Sequence, residues 1–340
     1  DENFKVAFSL SGVGLEQLEM HAPQVIEKLQ KLNATGRVEF LTEPYSHGLA
    51  GLINPESFKR DIEKMSNKIE ELFGKRPQVV RNSSLVYTDE IGAQVASWGY
   101  KGMLTEGAKH VLGWKSPNYV YNTAASHDVS LMFRNTQLSE DICLNFGYGL
   151  DAGQYIDRIA NAPADEKVYL VAMNMDVIGG MFKAESGIFD FLKALPVFAA
   201  EKDIRFATPA EVWENVPSVD TACVGHPISW DGYDKDVSAW MGNDLQNEAL
   251  RAIFSISERL HMSRNEILRQ DFAYLLSADH FKFMSTKQGA YVPFSPYDSS
   301  FDAFTNYMNV ISDMQIRLNQ EFPSNVENEG LSAQLQLIEV

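Results

Sequence analysis

Four short segments hold the residue types that handle a hydroxyl-rich ligand. They are Thr42-Glu43-Pro44-Tyr45-Ser46-His47, then Arg81-Asn82-Ser83-Ser84-Leu85-Val86-Tyr87, then Thr105-Glu106-Gly107-Ala108-Lys109-His110 with Trp114 soon after, and Asn174-Met175-Asp176-Val177-Ile178-Gly179-Gly180. Carboxylates, amides and a guanidinium can bond hydroxyls, and flat rings can cover sugar faces, so together they read as a carbohydrate site. Each segment also has a plainer reading. Glu43 and His47 suit a helix cap or a solvated loop, Arg81 and Asn82 a buried tie between loops, Lys109 and His110 a solvated loop. Trp114 suits a core, and Asp176 a turn cap. Their recurrence after successive apolar runs favours a shared rim.

Other chemistries fail on inventory. The seven histidines are scattered, without H-E-x-x-H or a related spacing, so no metal is expected. No G-x-S-x-G elbow, G-x-G-x-x-G or Walker A sequence occurs, so no nucleotide or other cofactor is expected. The two cysteines, Cys143 and Cys223, are too few and too far apart for a disulfide framework or a zinc motif. A net charge of −17 opposes nucleic-acid binding, which needs clustered Lys and Arg. No apolar run approaches the roughly 20 residues of a membrane span. No signal-peptide pattern opens the sequence, which starts at Asp1 rather than Met, and the expectation is a cytoplasmic protein.

The segments follow short apolar runs that read as strands: Phe4–Ser9, Arg37–Leu41, Gln78–Arg81, Lys101–Leu104, Ser130–Phe133, Val168–Met173 and Ile204–Ala207. Helical spacing separates most of them. Phe58, Ile62, Met65, Ile69 and Leu72 mark a helix over Glu56–Phe73 closed by Gly74, and Glu90–Trp98 and Gly187–Ala200 read similarly. Alternation of this kind predicts a parallel sheet covered by helices, with working residues at the carboxyl ends of strands. Near Pro217 the character changes. Val219–Trp240 reads as irregular and holds Trp230, and helices follow over Asp244–Leu260, Ser263–Phe283 and Phe301–Phe322. Ser263-Arg-Asn-Glu266 reads as a capping box. The expected division is an α/β domain over 1–216, a loop and helical subdomain over 217–323, and a polar tail over 324–340.

Longer strings carry a resemblance. VEFLTEPYSHGLA, RNSSLVYTDEIG, GYKGMLTEGAKHVLGWKSPNY, SGIFDFLKALP, PISWDGYDKDVSAWMGNDLQ and SADHFKFMSTK resemble the α-amylase-like members of glycoside hydrolase family 57, over nearly the whole chain. The resemblance implies an incomplete (β/α)7-type barrel followed by an α-helical subdomain. It implies α-glucan or maltooligosaccharide as the partner, with Glu43, Tyr45, His47, Arg81, Trp114, Trp230 and Asp279 as substrate-binding positions. It also implies a retaining mechanism, which needs two carboxyl groups about 5–5.5 Å apart.

Those two groups are substituted. The family reads Arg-Asn-Thr-Glu-Leu at its nucleophile, and this chain reads Arg81-Asn82-Ser83-Ser84-Leu85. The family reads Met-Asp-Tyr-Glu at its acid/base, and this chain reads Met173-Asn174-Met175-Asp176. Ser84 and Asn174 therefore occupy the catalytic positions. A neutral hydroxyl cannot stabilise an oxocarbenium-like centre as a carboxylate does, and an amide cannot cycle a proton, a loss of ~10²–10⁴-fold by itself. The expectation is impaired catalysis. The alternatives are an active hydrolase or transferase with a relocated acid, and a relic without a sugar site. On a strand, positions two apart share a side, which makes Asp176 the candidate relocated acid. The family's His-Gln-Pro first strand has no counterpart after Asp1, so the barrel is expected to lack it unless another segment or polypeptide supplies it.

Overall fold

A computed structural model describes residues 3–126, 128–287 and 295–322. The expected polar tail lies outside the described residues.

Strand β1 (Val6–Ser9) pairs in parallel with β2 (Val38–Leu41), Val6 opposite Val38. A parallel bridge between Thr42 and Val80 joins β2 to β3 (Val79–Arg81). Strand β4 (Gly102–Glu106) follows β3 in parallel, with Val80 opposite Met103. Strand β5 (Val120–Thr123) and strand β6 (Ser130–Arg134) form an antiparallel pair, and β6 also runs parallel to β4. Beyond β6, Leu170 bridges Arg134 in parallel. Strand β7 (Asp220–Ala222) runs parallel to β5. Val, Met, Phe and Leu dominate β3, β4 and β6, as strands covered on both faces require. The carboxyl ends of β2, β3, β4 and β6 therefore share one rim, which carries Glu43, Arg81, Glu106 and Arg134.

Helices fill the crossovers. Pro55–Phe73 is the longest of these: Asn54 accepts from Ser57 N at 2.9 Å, Pro55 sits at the first turn, and Gly74 ends it with φ 76°. Phe58, Ile62, Met65 and Ile69 are its buried stripe. Asp89–Ser97 starts on the Thr88 cap, and Ile188–Glu201 accommodates Pro196.

Several expected elements are corrected. Val168–Met173 contributes the single Leu170 bridge and no ladder, and Ile204–Ala207 is not a strand. Two strands were not expected, β5 and β7. Asp-Thr-Ala has weak strand preference, and β7 exists because β5 offers it a partner. The stretch expected to be irregular from Val219 thus begins with a strand. Asp244–Leu260 is two helices, Asp244–Ser255 and Ser257–Met262. Ser263–Phe283 is Glu266–Leu275 and Ala278–Phe283. The Ser263 capping box does not form: Asn265 caps the first of these helices, accepting from Leu268 N at 3.1 Å, while the Ser263 hydroxyl donates to Glu321.

The C-terminal helices share one core with the sheet. Tyr87, Met103, Leu131 and Phe133 belong to the same buried cluster as Trp240, Leu250, Phe281, Tyr307 and Leu318. The helix Ser300–Glu321 presents Tyr307, Ile311, Met314 and Leu318 to it. This shared burial packs the helices against the sheet.

Candidate functional site

Glu43 follows β2 at the rim and is 2% exposed. Its Oε1 accepts from His47 Nδ1 at 2.8 Å, and its Oε2 accepts from Arg81 Nη1 at 2.9 Å and from the Ser9 hydroxyl. Burial pushes the carboxyl pKa up, but the charges of Arg81 and His47 and the hydrogen bonds outweigh it and hold it at about 2. Glu43 is therefore a fixed anion with no proton to give and with both oxygens engaged.

A second ion pair mirrors the first. Arg134, at the end of β6, donates from Nη1 to Glu106 Oε2 at 2.9 Å, and Thr136 donates to Glu106 Oε1. Glu106 and Arg134 are both buried. Arg134 Nε also donates to the Ala172 carbonyl at 2.8 Å, which fixes the chain just before Asn174.

Trp230 joins the two pairs. The Arg81 guanidinium lies 4.7 Å from its ring centre and that of Arg134 5.8 Å. Both distances are within cation–π range. The residue reaches the rim because Ile228 bridges Tyr87 antiparallel and Trp230 N donates to Ser84 O at 3.0 Å. The rim thus has one half-buried indole between two charge-compensated arginines, with Ser84 on its backbone.

Ser84 lies in the turn Ser83–Leu85 with φ 50° and ψ 28°, and Leu85 has φ 58°. Two successive left-handed residues that are not glycine cost roughly 1–2 kcal/mol each. Surrounding bonds impose the shape. Asn82 Oδ1 accepts from Ser83 N at 2.9 Å, Asn82 Nδ2 donates to Val86 O at 3.0 Å, and Thr105 donates to Leu85 O at 3.1 Å.

The remaining expected residues divide. Asp279 is exposed at the start of Ala278–Phe283, beside the His47 loop: Ala278 N donates to His47 O at 3.0 Å, and Gly48 bridges Ser277. Asn174 and Asp176 are exposed, and Met175–Val177 is a 3-10 turn. The strand argument that made Asp176 face the same way as Asn174 does not hold, because the backbone there is not extended. Tyr45 is not brought to the rim. It is buried with Leu15 and Phe40, its hydroxyl donates to Glu16 at 2.5 Å, and Lys64 lies 3.5 Å above its ring. A Cβ on Gly12 would meet that ring at 2.2 Å, so Tyr45 braces the helix Gly12–His21. Trp114 is 91% exposed and lines a separate surface hollow with Lys115, Tyr119, Asp165, Glu166 and Asp220. Ser9 and Arg134 were not among the expected site residues, and Glu106 stood in the expected segment 105–110 without a role of its own. Their signal was the strand-end position they share with Glu43 and Arg81.

The glycosyl hydrolase family 57 model matches residues 1–225. The chain belongs to that family. A relative from Methanocaldococcus jannaschii named "Putative alpha-amylase" is 29% identical over 94% of this chain and 72% of its own length. Two solved structures share the fold at low identity. The family 57-type branching enzyme of Pyrococcus horikoshii has TM-score 0.69 and 11% identity, over 95% of this chain and 73% of that one. The 4-alpha-glucanotransferase of Thermococcus litoralis has TM-score 0.64 and 14% identity, over 82% of this chain. This chain spans only 50% of that protein's length. The architecture of this family 57 chain is accordingly mixed α/β: an incomplete (β/α)7-type barrel followed by an α-helical subdomain. Among the described residues no three His, Cys, Asp or Glu lie together as metal ligands, and no helix is long and apolar enough to cross a membrane.

Proposed function

We propose that this family 57 chain recognises α-glucan at the Arg81–Trp230–Arg134 rim and cleaves it poorly. The observation that carries the reading is the pair Ser84 and Asn174 at the family's two carboxylate positions. Two further facts support it. The carboxylates that pair with the two rim arginines, Glu43 and Glu106, are themselves buried and held in those ion pairs. Glu43 has no proton to give, and neither carboxylate has a free oxygen to attack an anomeric carbon. The rim's arginine charges are also cancelled by these pairs, which suits a neutral polyol. In this reading Trp230 stacks on a glucosyl face, while His47, Arg81 and Asp279 bond hydroxyls.

The test combines isothermal titration with maltoheptaose and a sensitive reducing-end assay. Binding with negligible turnover is expected, and Ser84→Glu with Asn174→Asp is expected to raise turnover above the wild type. Turnover in the wild type that Asp176→Asn abolishes would instead establish a relocated acid. Absence of binding up to the solubility limit of the sugar would reduce the chain to a relic without a sugar site.

A further inference from the structure

The hollow around Trp114 is a second feature with the chemistry of a sugar site. It has a volume of about 440 Å³, inside the ~300–1,000 Å³ range of small-molecule sites. It lies where the segment 114–121 meets the loop 163–166 and the start of β7. None of its lining residues belongs to the Glu43–Arg81–Trp230 group. Trp114 leaves its indole almost wholly in solvent, Val219 is 57% exposed, and the Tyr119 ring is half-buried beside them. Large apolar faces left in water next to oriented polar groups mark an unfilled contact surface.

Those polar groups are held in place. Tyr119 donates to Asp165 Oδ2 at 2.6 Å, Asn118 donates to Glu166 Oε2 at 2.6 Å, and Tyr169 donates to the same oxygen at 3.1 Å. Lys115 pairs with Asp220 at 2.7 Å and donates to Thr221 O at 2.9 Å. Tyr121 donates to Ser116 O at 2.6 Å. Asp165 and Glu166 are engaged through one oxygen each, which leaves the second as an acceptor fixed in direction. Asp165, Glu166 and Asp220 outnumber the ammonium groups of Lys115 and the neighbouring Lys167, and this disfavours an anionic ligand. A neutral ring with hydroxyls at its edge matches both halves of the surface.

We propose that the Trp114 hollow is a second saccharide-docking site, separate from the strand-end rim. It takes one or two glucosyl units of a neutral α-glucan, with a sugar face on the indole and hydroxyls on Asp165 and Glu166. The identity of the sugar rests on the reading of the rim given above. The bonds that build the hollow stand apart from it. A docking site outside the cleft would hold a long glucan by two points and raise its effective concentration at the rim.

The test uses the whole chain and maltoheptaose, with soluble starch as the long ligand. Trp114→Ala removes an exposed side chain, so an unchanged melting temperature is the control for folding. In wild type, titration is expected to show two classes of site. Trp114→Ala is expected to lose one class and to weaken starch retention in affinity gels at least tenfold. Trp230→Ala should lose the other class and keep the Trp114 one. A maltoheptaose isotherm and starch retention in Trp114→Ala identical to wild type overturn the docking site while leaving the rim reading intact. Loss of all binding in Trp230→Ala alone does the same. Retained binding in Trp230→Ala that Trp114→Ala then removes supports the docking site even if the rim reading fails. A Trp114-dependent affinity for poly-lysine, with the glucan isotherm unchanged, overturns it in favour of a basic peptide.

Discussion

Glu43→Gln probes the arrangement that anchors the rim. Glu43 is buried, and its pKa falls from an ordinary 4.5 to about 2 because Arg81, His47 and Ser9 outweigh the cost of burial. At roughly 1.4 kcal/mol per pH unit, that difference contributes about 3 kcal/mol to folding. The sign follows from a depressed folded-state value. The contribution is complete above about pH 4.5, where the unfolded chain is also ionised. It is lost as pH falls from there through about 2. Glutamine keeps the shape but has no charge, leaving the largely covered Arg81 without its carboxylate, at a cost of up to about 3–5 kcal/mol near neutrality. Urea unfolding of wild type and variant, followed by tryptophan emission and circular dichroism, measures the gap between them. The gap is expected to be several kcal/mol at pH 7 and to shrink by about 3 kcal/mol by pH 2. Other carboxylates titrate in the same range, but they do so in both proteins and cancel in the difference. A gap of the same size at pH 7 and pH 2 would refute the claim that Glu43 is held as an anion by its neighbours.

Three other outcomes follow from local geometry. Ser84→Gly relieves a left-handed residue and should raise unfolding free energy by about 1 kcal/mol, read by urea titration. Gly102→Ala places a Cβ 2.2 Å from the Trp213 ring inside β4, so thermal melts should show a loss of about 1–3 kcal/mol and Trp213 emission should shift. Asn54→Ala removes the cap of Pro55–Phe73 and should cost about 1 kcal/mol by chemical denaturation, with the rim's ligand affinity unchanged.

Strand ends and helix stripes were legible because their patterns are local. Five of the expected strands begin within two residues of an observed one, and the helix over Glu56–Phe73 is present with its Gly74 terminator. Periodicity and turn chemistry act within one element, so they can be read without the partner. Pairing is different. The expected strand at Val168–Met173 formed one β-bridge, to Arg134, whereas Asp220–Ala222, with little intrinsic preference, became a strand because Tyr121 and Thr123 lay beside it.

The candidate site divides in the same way. By itself the sequence determined which chemical groups the strand ends carry: Glu43, His47 and Arg81 are spelled out, and so are Ser84 and Asn174. Only the tertiary structure decided where those groups point. It turned Tyr45 inward onto Gly12, carried Trp114 to a hollow of its own, and set Trp230 between Arg81 and Arg134. The physical reason is that side-chain identity is a property of one position. Exposure, ion pairing and ionisation are properties of what folding brings next to it.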